Sequence, residues 1–434
     1  MTSTIAVDDL LVGMYIHLDG GWLSHPFPLS AFRLSSRDEI LTLRRLGLKH
    51  VRWVPEKSDP ALAGAAVDSA VHSAVVDSAA QGVAAAVVAP LSAEELEAGR
   101  RQAWLAEQRA AAKLCERQYA EAAGIWRGAW DNTAAQPQQA GRTTEALARA
   151  MLDKMLAADE VGIRLVGGGG DRVAAHALNV AVISMLIGRT LGMADADMLD
   201  MGVGALMHDV GKQDLPDRLR HADDSFSSSE HAIYRDHVAK GLLHGRRMAL
   251  AEGAKEVIAQ HHEHADGSGF PNRIVGERMP LASRIVAIVN RYDNLCNPAT
   301  RSQALTPHEA VAMLFAQGRT RFDSTVLNAF IRMMGVYPAG SLVQLTDDRY
   351  AMVVGVNSTR PLKPRVLVHS AARGRGAADT HLIDLEALPD LGIRRSLPPA
   401  KLPPAVLSAL DPRPRVAYYF EPLAREHAAH ELAA

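Results

Sequence analysis

Cysteine is almost missing from this sequence of 434 residues, which has only Cys115 and Cys296, far apart in the chain. So low a count excludes a disulfide framework, and the separation does not fit a cysteine metal site. The chain also lacks an excess of either charge, because its formal net charge is -2. No global positive field therefore recruits DNA, RNA or an acidic membrane, and an anionic substrate must be held by a local site.

Long apolar runs are missing as well. The first twenty residues lack the basic start and apolar core of a signal peptide, and the most apolar stretch, 83–90, is too short to span a bilayer. These absences predict a cytoplasmic protein without a membrane segment. Hydrophobic residues make up 48% and charged residues 22%, which is typical of a soluble globular protein, and the length favours two or three domains.

The beginning of the chain, residues 1–58, has the pattern of a small α+β module. Short apolar stretches at 13–18 and 48–54 predict strands. Between them Ser36, with Glu39 three residues later, forms the signature of a capping box and predicts the start of a helix.

Four further parts follow along the chain. Residues 59–91 are rich in alanine and predict a linker, and 92–165 predict a helical connector with a break at 132–141, where a proline cannot continue a helix. Residues 166–338 predict consecutive amphipathic helices. The last part, 339–434, predicts a β-rich extension that ends in a proline-rich tail from Pro398 onwards, which is either loosely structured or wraps the domain.

Histidine is concentrated in one region, because nine of the eighteen histidines lie between His176 and His264. Several occupy positions where the helical pattern requires an apolar residue, as His176 does in a stripe with Val180 and Ile183. One such histidine alone is usually a hydrogen-bonded core residue. Several on successive helices are costly to bury unless something binds them, so the sequence predicts a metal centre. Its candidate ligands are His176, His208, Asp209, His237, His261 and His262.

This combination of residues suits divalent ions and phosphate chemistry. Imidazole nitrogens with a carboxylate suit Zn, Mn or Fe, and Asp209 can bridge two ions. Neighbouring ions can activate a water molecule and stabilise the oxygens that enter and leave a phosphorus centre. Lys212, one turn beyond His208, is placed to stabilise charge on a phosphoryl group. The alternative for Lys212 is an ordinary solvated lysine at a helix end.

The same residues resemble a known family. His176, His208-Asp209-x-Gly211-Lys212, His237 and His261-His262-Glu263-x-x-Asp266-Gly267-x-Gly269-Phe270-Pro271 follow the order of the HD-GYP phosphodiesterases, which belong to the HD superfamily. The resemblance covers about 171–338. The N-terminal module is similar to the uncharacterised domain that often precedes HD-GYP domains.

The resemblance implies a mainly α fold, in which an all-helical HD-type bundle follows the α+β module and precedes the β-rich extension. It implies two divalent metal ions, Fe or Mn, and hydrolysis of cyclic di-GMP. Cyclic di-GMP is a bacterial second messenger in the signal transduction that controls biofilm formation and motility. Asp209 and Lys212 are then catalytic, and Asn290 completes the metal ligands named above. The implied substrate contacts are Lys212, Asp266, Gly267, Gly269, Phe270, Pro271 and Arg301.

Two departures from the family pattern bear on the metals. At Asn290 the family usually has a metal-binding aspartate, and an amide oxygen binds transition metals weakly. Asp293 matches a second aspartate of the family, which occupies a different place from the metal-binding one, so Asp293 is not taken as a ligand. Arg172 stands where members with three metals have a glutamate, which implies at most two metals and favours the linear dinucleotide pGpG over GMP as product.

Two other departures bear on the substrate. Phe270 replaces the tyrosine of the Gly-Tyr-Pro motif and keeps its aromatic packing without the hydroxyl. The basic residues that usually grip substrate phosphates fall at Ala299 and Ser302, which leaves Arg301 as the only basic residue nearby.

Two alternatives to catalysis of this reaction stay open. A catalytically degenerate domain would serve as a cyclic di-GMP receptor or a protein-interaction module, and the same site would alternatively hydrolyse another phosphoester. Signalling proteins such as diguanylate cyclases are the expected protein partners. The long helices before Glu160 either pair two copies into a homodimer or pack against the bundle.

Overall fold

The computed structural model describes residues 3–18, 31–46, 48–59, 92–167, 171–222, 225–357, 359–370 and 380–423. The chain divides into two compact units, Met1–Ala106 and Glu107–Ala434, which are described separately. The predicted linker at 59–91 lies almost wholly outside the described residues. The predicted five-part division stays a prediction.

The described residues of the first unit form a four-stranded antiparallel sheet and a helix that packs on it. The strands are β1 (Ser3–Ala6), β2 (Tyr15–His17), β3 (Ala31–Arg33) and β4 (His50–Trp53), in the order β1-β4-β2-β3. Helix α1 (Arg37–Arg45) begins with the predicted capping box, in which Ser36 and Glu39 each accept a hydrogen bond from the other's backbone N–H. The predicted α+β module is therefore confirmed.

The second unit is built around a bundle of helices, as the fold prediction required. Its helices are α2 (Ala93–Asp131, which begins before the unit boundary), α3 (Pro137–Ala157), α4 (Arg172–Thr190), α5 (Asp195–Met207), α6 (Ser228–Arg235), α7 (His237–Arg247), α8 (Glu252–Gln260), α9 (Leu281–Cys296), α10 (Pro307–Arg321) and α11 (Ser324–Met334).

Helix α4 is the central helix of this bundle. It packs against α5, α9 and α11, and the carboxylate of Asp171 caps its first turn by accepting from Val173 N and Ala174 N. Among the described residues it is the one helix long and apolar enough to cross a membrane. However, 78% of its most apolar window is buried inside the protein, as in the core helix of a globular domain.

The predicted break between the two long helices is confirmed. Helix α2 ends at Asp131, and Pro137 opens α3 at a position where its missing N–H costs no hydrogen bond. Gly141, which also contributed to the predicted break, lies inside α3 instead. The indole N–H of Trp126 donates to Leu206 O at 2.8 Å, so the end of α2 packs directly on α5.

A seven-stranded sheet accompanies the bundle. Its strands are β5 (Glu160–Val166), β6 (Leu342–Leu345), β7 (Tyr350–Asn357), β8 (Arg365–His369), β9 (Thr380–Asp384), β10 (Ile393–Ser396) and β11 (Ala417–Leu423). The main path runs β10-β6-β7-β5-β11, while β8 joins β7 to β9. Helix α12 (Pro404–Leu410) packs on β7 and β8. The β-rich extension is therefore confirmed.

One prediction for this region was wrong, and one of two alternatives for the tail was also wrong. Residues 160–165, assigned to the helical connector, belong to strand β5. The tail contains β11, which contradicts the alternative that it is loosely structured. These two strands pair with each other over their whole length, from Ala417 opposite Val166 to Leu423 opposite Glu160. Because the partner strand lies so far away in sequence, neither segment carries a local signal of the pairing.

One close approach places the metal-site elements against each other. The short 3-10 turn Val210–Asp214 follows α5 and crosses the start of α7. A Cβ atom at Gly211 would lie 2.0 Å from the carbonyl oxygen of His237. Only glycine permits this approach, which brings Asp209 next to His237.

Candidate metal centre

Three of the predicted histidines lie at helix ends and are oriented in the same way. His208 follows the last residue of α5, His237 is the first residue of α7, and His261 follows α8. In each, Nδ1 lies 2.6–2.7 Å from the carbonyl oxygen three residues earlier. A carbonyl only accepts, so Nδ1 carries the proton and Nε2 is left to bind a ligand.

His176 is oriented by a carboxylate instead. Its Nδ1 lies 2.6 Å from Oδ2 of Asp293, which is fully buried, and its Nε2 lies 3.0 Å from Nε2 of His208. Asp293 thus holds the ring from behind rather than facing the other ligands, in agreement with its exclusion from the ligand set. A carboxylate in this position fixes the tautomer of a metal-binding histidine.

Asp209 lies at the centre of the cluster, and its two oxygen atoms face different histidines. Oδ2 is 3.5 Å from Nε2 of both His176 and His208, whereas Oδ1 is 3.7 Å from Nε2 of both His237 and His261. His262 joins the second pair, which gives two groups of potential metal ligands that share Asp209. One carboxylate between two sets of imidazoles is the arrangement that a bridged pair of ions requires.

Unpartnered buried atoms support this interpretation. Oδ1 of Asp209 and Nε2 of His262 are buried without a hydrogen-bond partner, although burial of an unsatisfied polar atom is costly. Burial and the nearby Lys212 lower the pKa of His237 to about 4, and burial also holds the pKa of His261 and His262 well below the ordinary value. These imidazoles are therefore neutral, as metal ligands must be, and the donor set fits two divalent ions.

Lys212 and Asp209 form a buried ion pair, with Lys212 Nζ 2.7 Å from Asp209 Oδ2. Burial alone would raise the pKa of Asp209, but Lys212, His208 and His176 together hold it well below its ordinary value. Asp209 is therefore an anion at neutral pH. The ammonium group also lies 5.4 Å from the ring centre of Tyr234, which lines the same cavity.

The cluster opens into a cavity of about 710 Å³. Among the described residues that line this cavity, Asp209 is the only acidic one. The basic lining residues are Arg127, Arg172, Lys212, Arg220, Arg291 and Arg321, and the aromatic ones are Trp130, Tyr234 and Phe270. Cationic side chains next to a metal centre suit a substrate with phosphate groups, and aromatic faces suit nucleobases.

Two other predicted residues reach the cavity. Asn290 is buried in its wall, and its Oδ1 accepts a hydrogen bond from Asn294 Nδ2 at 2.7 Å. Phe270 stacks on His262, with ring centres 4.4 Å apart. The phenylalanine therefore preserves an aromatic contact against a candidate ligand.

The remaining residues predicted to contact substrate do not line the cavity: Asp266, Gly267, Gly269, Pro271 and Arg301. The loop that contains the first four of these residues has a structural role, because it positions Phe270. Gly269 lies so close to the His262–His264 backbone that a Cβ atom there would come within 2.5 Å, and Glu263 accepts from Asn272 N and Ile274 N. Arg301 is exposed in a 3-10 turn after α9 and is not among the residues that line the cavity.

Sequence reasoning missed most of the cationic wall. Arg127 and Trp130 come from α2, outside the motif region, and Arg127 pairs with Asp171 at the start of α4. No spacing rule connects a residue on α2 to a site that begins about fifty residues later. Tyr234 offered a weak signal, since it lies one helical turn before His237.

Both cysteines are buried and free. Burial raises the pKa of Cys115 to about 12 and that of Cys296 well above the ordinary value. Neither thiol is therefore ionised at neutral pH, so neither is prepared to act as a nucleophile.

Three family models match the chain. A model described as an HD domain matches residues 145–326, a domain of unknown function (DUF3391) matches 2–144, and a KOW domain associated with HD domains matches 342–403. The second of these extends well beyond the α+β module into α2 and the start of α3.

Several curated proteins are similar to the chain. A cyclic di-GMP phosphodiesterase of Pseudomonas aeruginosa is 27% identical over 89% of both chains. A 3′3′-cGAMP-specific phosphodiesterase of Vibrio cholerae is 31% identical over 36% of this chain and 30% of its own length. A cyclic di-GMP phosphodiesterase response regulator of Xanthomonas campestris is 30% identical over 35% of this chain and 40% of its own length. Among solved structures, an "HDG"Y"P" protein of Bdellovibrio bacteriovorus aligns with 76% of this chain and 98% of its own, at 15% identity and a TM-score of 0.40.

Proposed function

This chain carries an HD domain preceded by a DUF3391 domain, and on that premise we propose that it is a metal-dependent phosphodiesterase that hydrolyses cyclic di-GMP to the linear dinucleotide pGpG. The proposal includes two divalent ions, Fe or Mn, bound at the two ligand groups. It draws on the names of the relatives in Pseudomonas and Xanthomonas and on the chemistry of the site.

The observation that carries the proposal is the position of Asp209 between two sets of imidazoles. His176 and His208 face one oxygen atom of its carboxylate, and His237 and His261 face the other. When bound, divalent ions at these groups supply an activated water molecule and neutralise the charge of a phosphodiester.

The protein's own residues account for binding and orientation. Lys212 lies against Asp209 and at the cavity surface, where its ammonium group can stabilise charge on the phosphoryl oxygens. Arg172 and Arg220 on the same wall provide further donors for phosphate oxygens. Phe270 and Trp130 provide aromatic faces for guanine bases.

A second candidate function is a cyclic di-GMP receptor without turnover. Asn290 favours it, because an amide oxygen that already accepts from Asn294 is a poor substitute for a carboxylate ligand. The positive charge of the cavity wall would serve binding equally well. The relative in Vibrio cholerae named as a 3′3′-cGAMP-specific phosphodiesterase adds 3′3′-cGAMP as an alternative substrate for the catalytic site.

The test is a turnover assay with protein purified without oxygen and loaded with Mn(II) or Fe(II). We expect conversion of cyclic di-GMP to pGpG, measured by liquid chromatography beside 3′3′-cGAMP. Asp209→Ala is expected to abolish turnover, whereas Asp390→Ala, which removes an exposed carboxylate elsewhere, should leave it unchanged.

Each other outcome has a definite meaning. Binding of cyclic di-GMP without turnover, with turnover restored by Asn290→Asp, would favour the receptor. Turnover that survives both Asp209→Ala and His261→Ala would contradict the proposed site.

The remaining expectations join the same proposal. A cytoplasmic location fits the two free thiols. Diguanylate cyclases, which make the substrate, are the proposed protein partners, and self-association as a homodimer is proposed for the whole chain.

A further inference from the structure

Two buried asparagines hold the carboxylate that orients His176. Asn179 lies on α4, and Asn297 directly follows the end of α9. Their side-chain amides donate to the same atom, Asp293 Oδ1, at 2.7 and 2.9 Å. The other oxygen, Asp293 Oδ2, lies 2.6 Å from Nδ1 of His176. Both oxygens of this carboxylate are therefore hydrogen-bonded.

The same two amides also bind the backbone at the start of β11. Both donate to the carbonyl oxygen of Val416, at 3.0 and 2.9 Å. In return, Val416 N donates to Asn297 Oδ1 at 3.0 Å and Tyr418 N donates to Asn179 Oδ1 at 2.8 Å. Each asparagine therefore connects the strand to Asp293 with its donor and acceptor atoms both satisfied.

The side chains of this network are buried from solvent, so water cannot readily replace their hydrogen bonds. Asn179 and Asp293 are 0% exposed and Asn297 is 7% exposed. Buried polar groups of this kind are stable only when every member is satisfied, so loss of the strand contacts would leave the amides free to turn away from Asp293. His176 would then lose the partner that fixes its ring.

The effect falls on one of the two ligand groups. His176 belongs to the group that contains His208, whereas His237 and His261 in the other group are oriented by carbonyls of their own segments. A change in the network therefore reaches the first group and leaves the second in place.

We propose that Asn179 and Asn297 are positioning residues through which strand β11 fixes the imidazole of His176, so that the C-terminal sheet supports one of the two metal positions. This inference rests on the proposed metal centre. The inference goes beyond the metal centre, because it assigns a role to a strand that lies more than a hundred residues after the last ligand.

The test is a titration of the metal-free full-length protein with Mn(II), in which electron paramagnetic resonance measures the ion left free in solution. Wild-type protein is expected to bind two ions per chain. Asn297→Ala and Asn179→Ala are each expected to weaken one binding event by about 10- to 100-fold, as other changes behind a metal ligand do, and to leave the other event unchanged.

Tyr418→Phe is the matched control. It removes two buried hydrogen bonds of the same strand, one between the hydroxyls of Tyr418 and Tyr292 at 2.9 Å and one that the Tyr418 hydroxyl donates to Ala339 O at 3.2 Å. It retains the backbone N–H of Tyr418 that donates to Asn179 Oδ1. This variant is expected to bind two ions with wild-type affinity. Circular dichroism and thermal unfolding show whether the three variants are folded and similarly destabilised.

The results separate the two proposals. If both asparagine variants bind two ions as tightly as wild type, or if Tyr418→Phe loses an ion to the same extent, the role of the network is wrong and the metal centre stands. If wild-type protein binds no Mn(II), both proposals are overturned.

Discussion

Arg172 puts a positive charge one helical turn before His176, inside the cavity. Its Nη2 lies 2.7 Å from Nδ1 of His221, and burial together with Arg415 lowers the pKa of Arg172 despite the opposing effect of Asp209. His221 does not neutralise this charge, since burial and Arg172 lower its own pKa to about 4. The cavity therefore has an electropositive end suited to a second phosphate of a cyclic dinucleotide.

Replacement of this arginine should weaken substrate binding rather than chemistry. A hydrogen bond to a charged group contributes about 1.5–3 kcal/mol, so Arg172→Gln is expected to raise KM for cyclic di-GMP by about 10- to 100-fold. The effect on kcat should be small, because the interaction exists equally before and during the reaction. Steady-state kinetics measure both constants.

Arg142→Gln is the control, since this exposed arginine lies outside the cavity and its removal changes the net charge equally. A fall in kcat with unchanged KM in Arg172→Gln would contradict the binding role.

The candidate ligands were predictable from the sequence, but the cavity wall was not. His208 and Asp209 are adjacent, and His261 and His262 are adjacent, so their motifs are visible in a single line of sequence. Arg127 reaches the cavity from a different helix, and only the packing of α2 on α5 puts it there. Arg301 shows the opposite error, because closeness in sequence to the motif region did not bring it to the wall.

At the scale of elements, α3 contains a lysine where its buried face calls for an apolar residue. Lys154 is only 1% exposed, and burial lowers its pKa to about 8 despite the opposing charges of Glu121 and Asp153. In an unfolded chain the ordinary value is 10.5. The unfolded chain therefore binds more protons than the folded one between these two values.

The pH dependence of stability follows from this difference. The free energy of unfolding should rise with pH from about 8 to 10.5 in the wild type, because the cost of burying the charged lysine disappears as the folded protein loses the proton. Lys154→Met should lack this contribution and show a flatter dependence. Chemical denaturation at a series of pH values measures both slopes, and parallel slopes would contradict the assignment.

Elements with local signals were predicted well, and elements with distant partners were not. Helix α1 is preceded by the capping residue Ser36, and α3 begins with a proline, so a few neighbouring residues determine where each helix begins. Strands β5 and β11 have no such signal. Their identity as strands depends on each other, and each was assigned to a neighbouring element instead.

At the scale of the whole molecule, the seven-stranded sheet joins segments from both sides of the helical bundle. Arg164 of β5 and Arg365 of β8 both pair with Glu421 of β11; Arg164 and Glu421 are buried, and the side chain of Arg365 is 11% exposed. A buried carboxylate between two guanidinium groups connects three strands. Its removal leaves the buried Arg164 and the mostly buried Arg365 without this shared carboxylate.

Glu421→Gln is therefore expected to destabilise the protein by about 3–5 kcal/mol, which chemical denaturation would measure. The control is Glu386→Gln, because Glu386 pairs with Arg360, a largely exposed side chain, and surface pairs contribute about 0–1 kcal/mol. Equal stability losses in the two variants would show that the buried pair does not stabilise the sheet.

The pairing of β5 with β11 has a consequence for synthesis of the chain on the ribosome. Arg164 emerges 257 residues before Glu421, so every histidine of the cluster leaves the exit tunnel while the last strand is still untranslated. A nascent chain at that stage has the full set of imidazoles but not the backbone of Val416. That backbone accepts hydrogen bonds from the two asparagine amides that hold the carboxylate behind His176. The two metal positions would then form in sequence. The ligands around His237 and His261 would be in place first, and the position around His176 would be completed only after translation of β11.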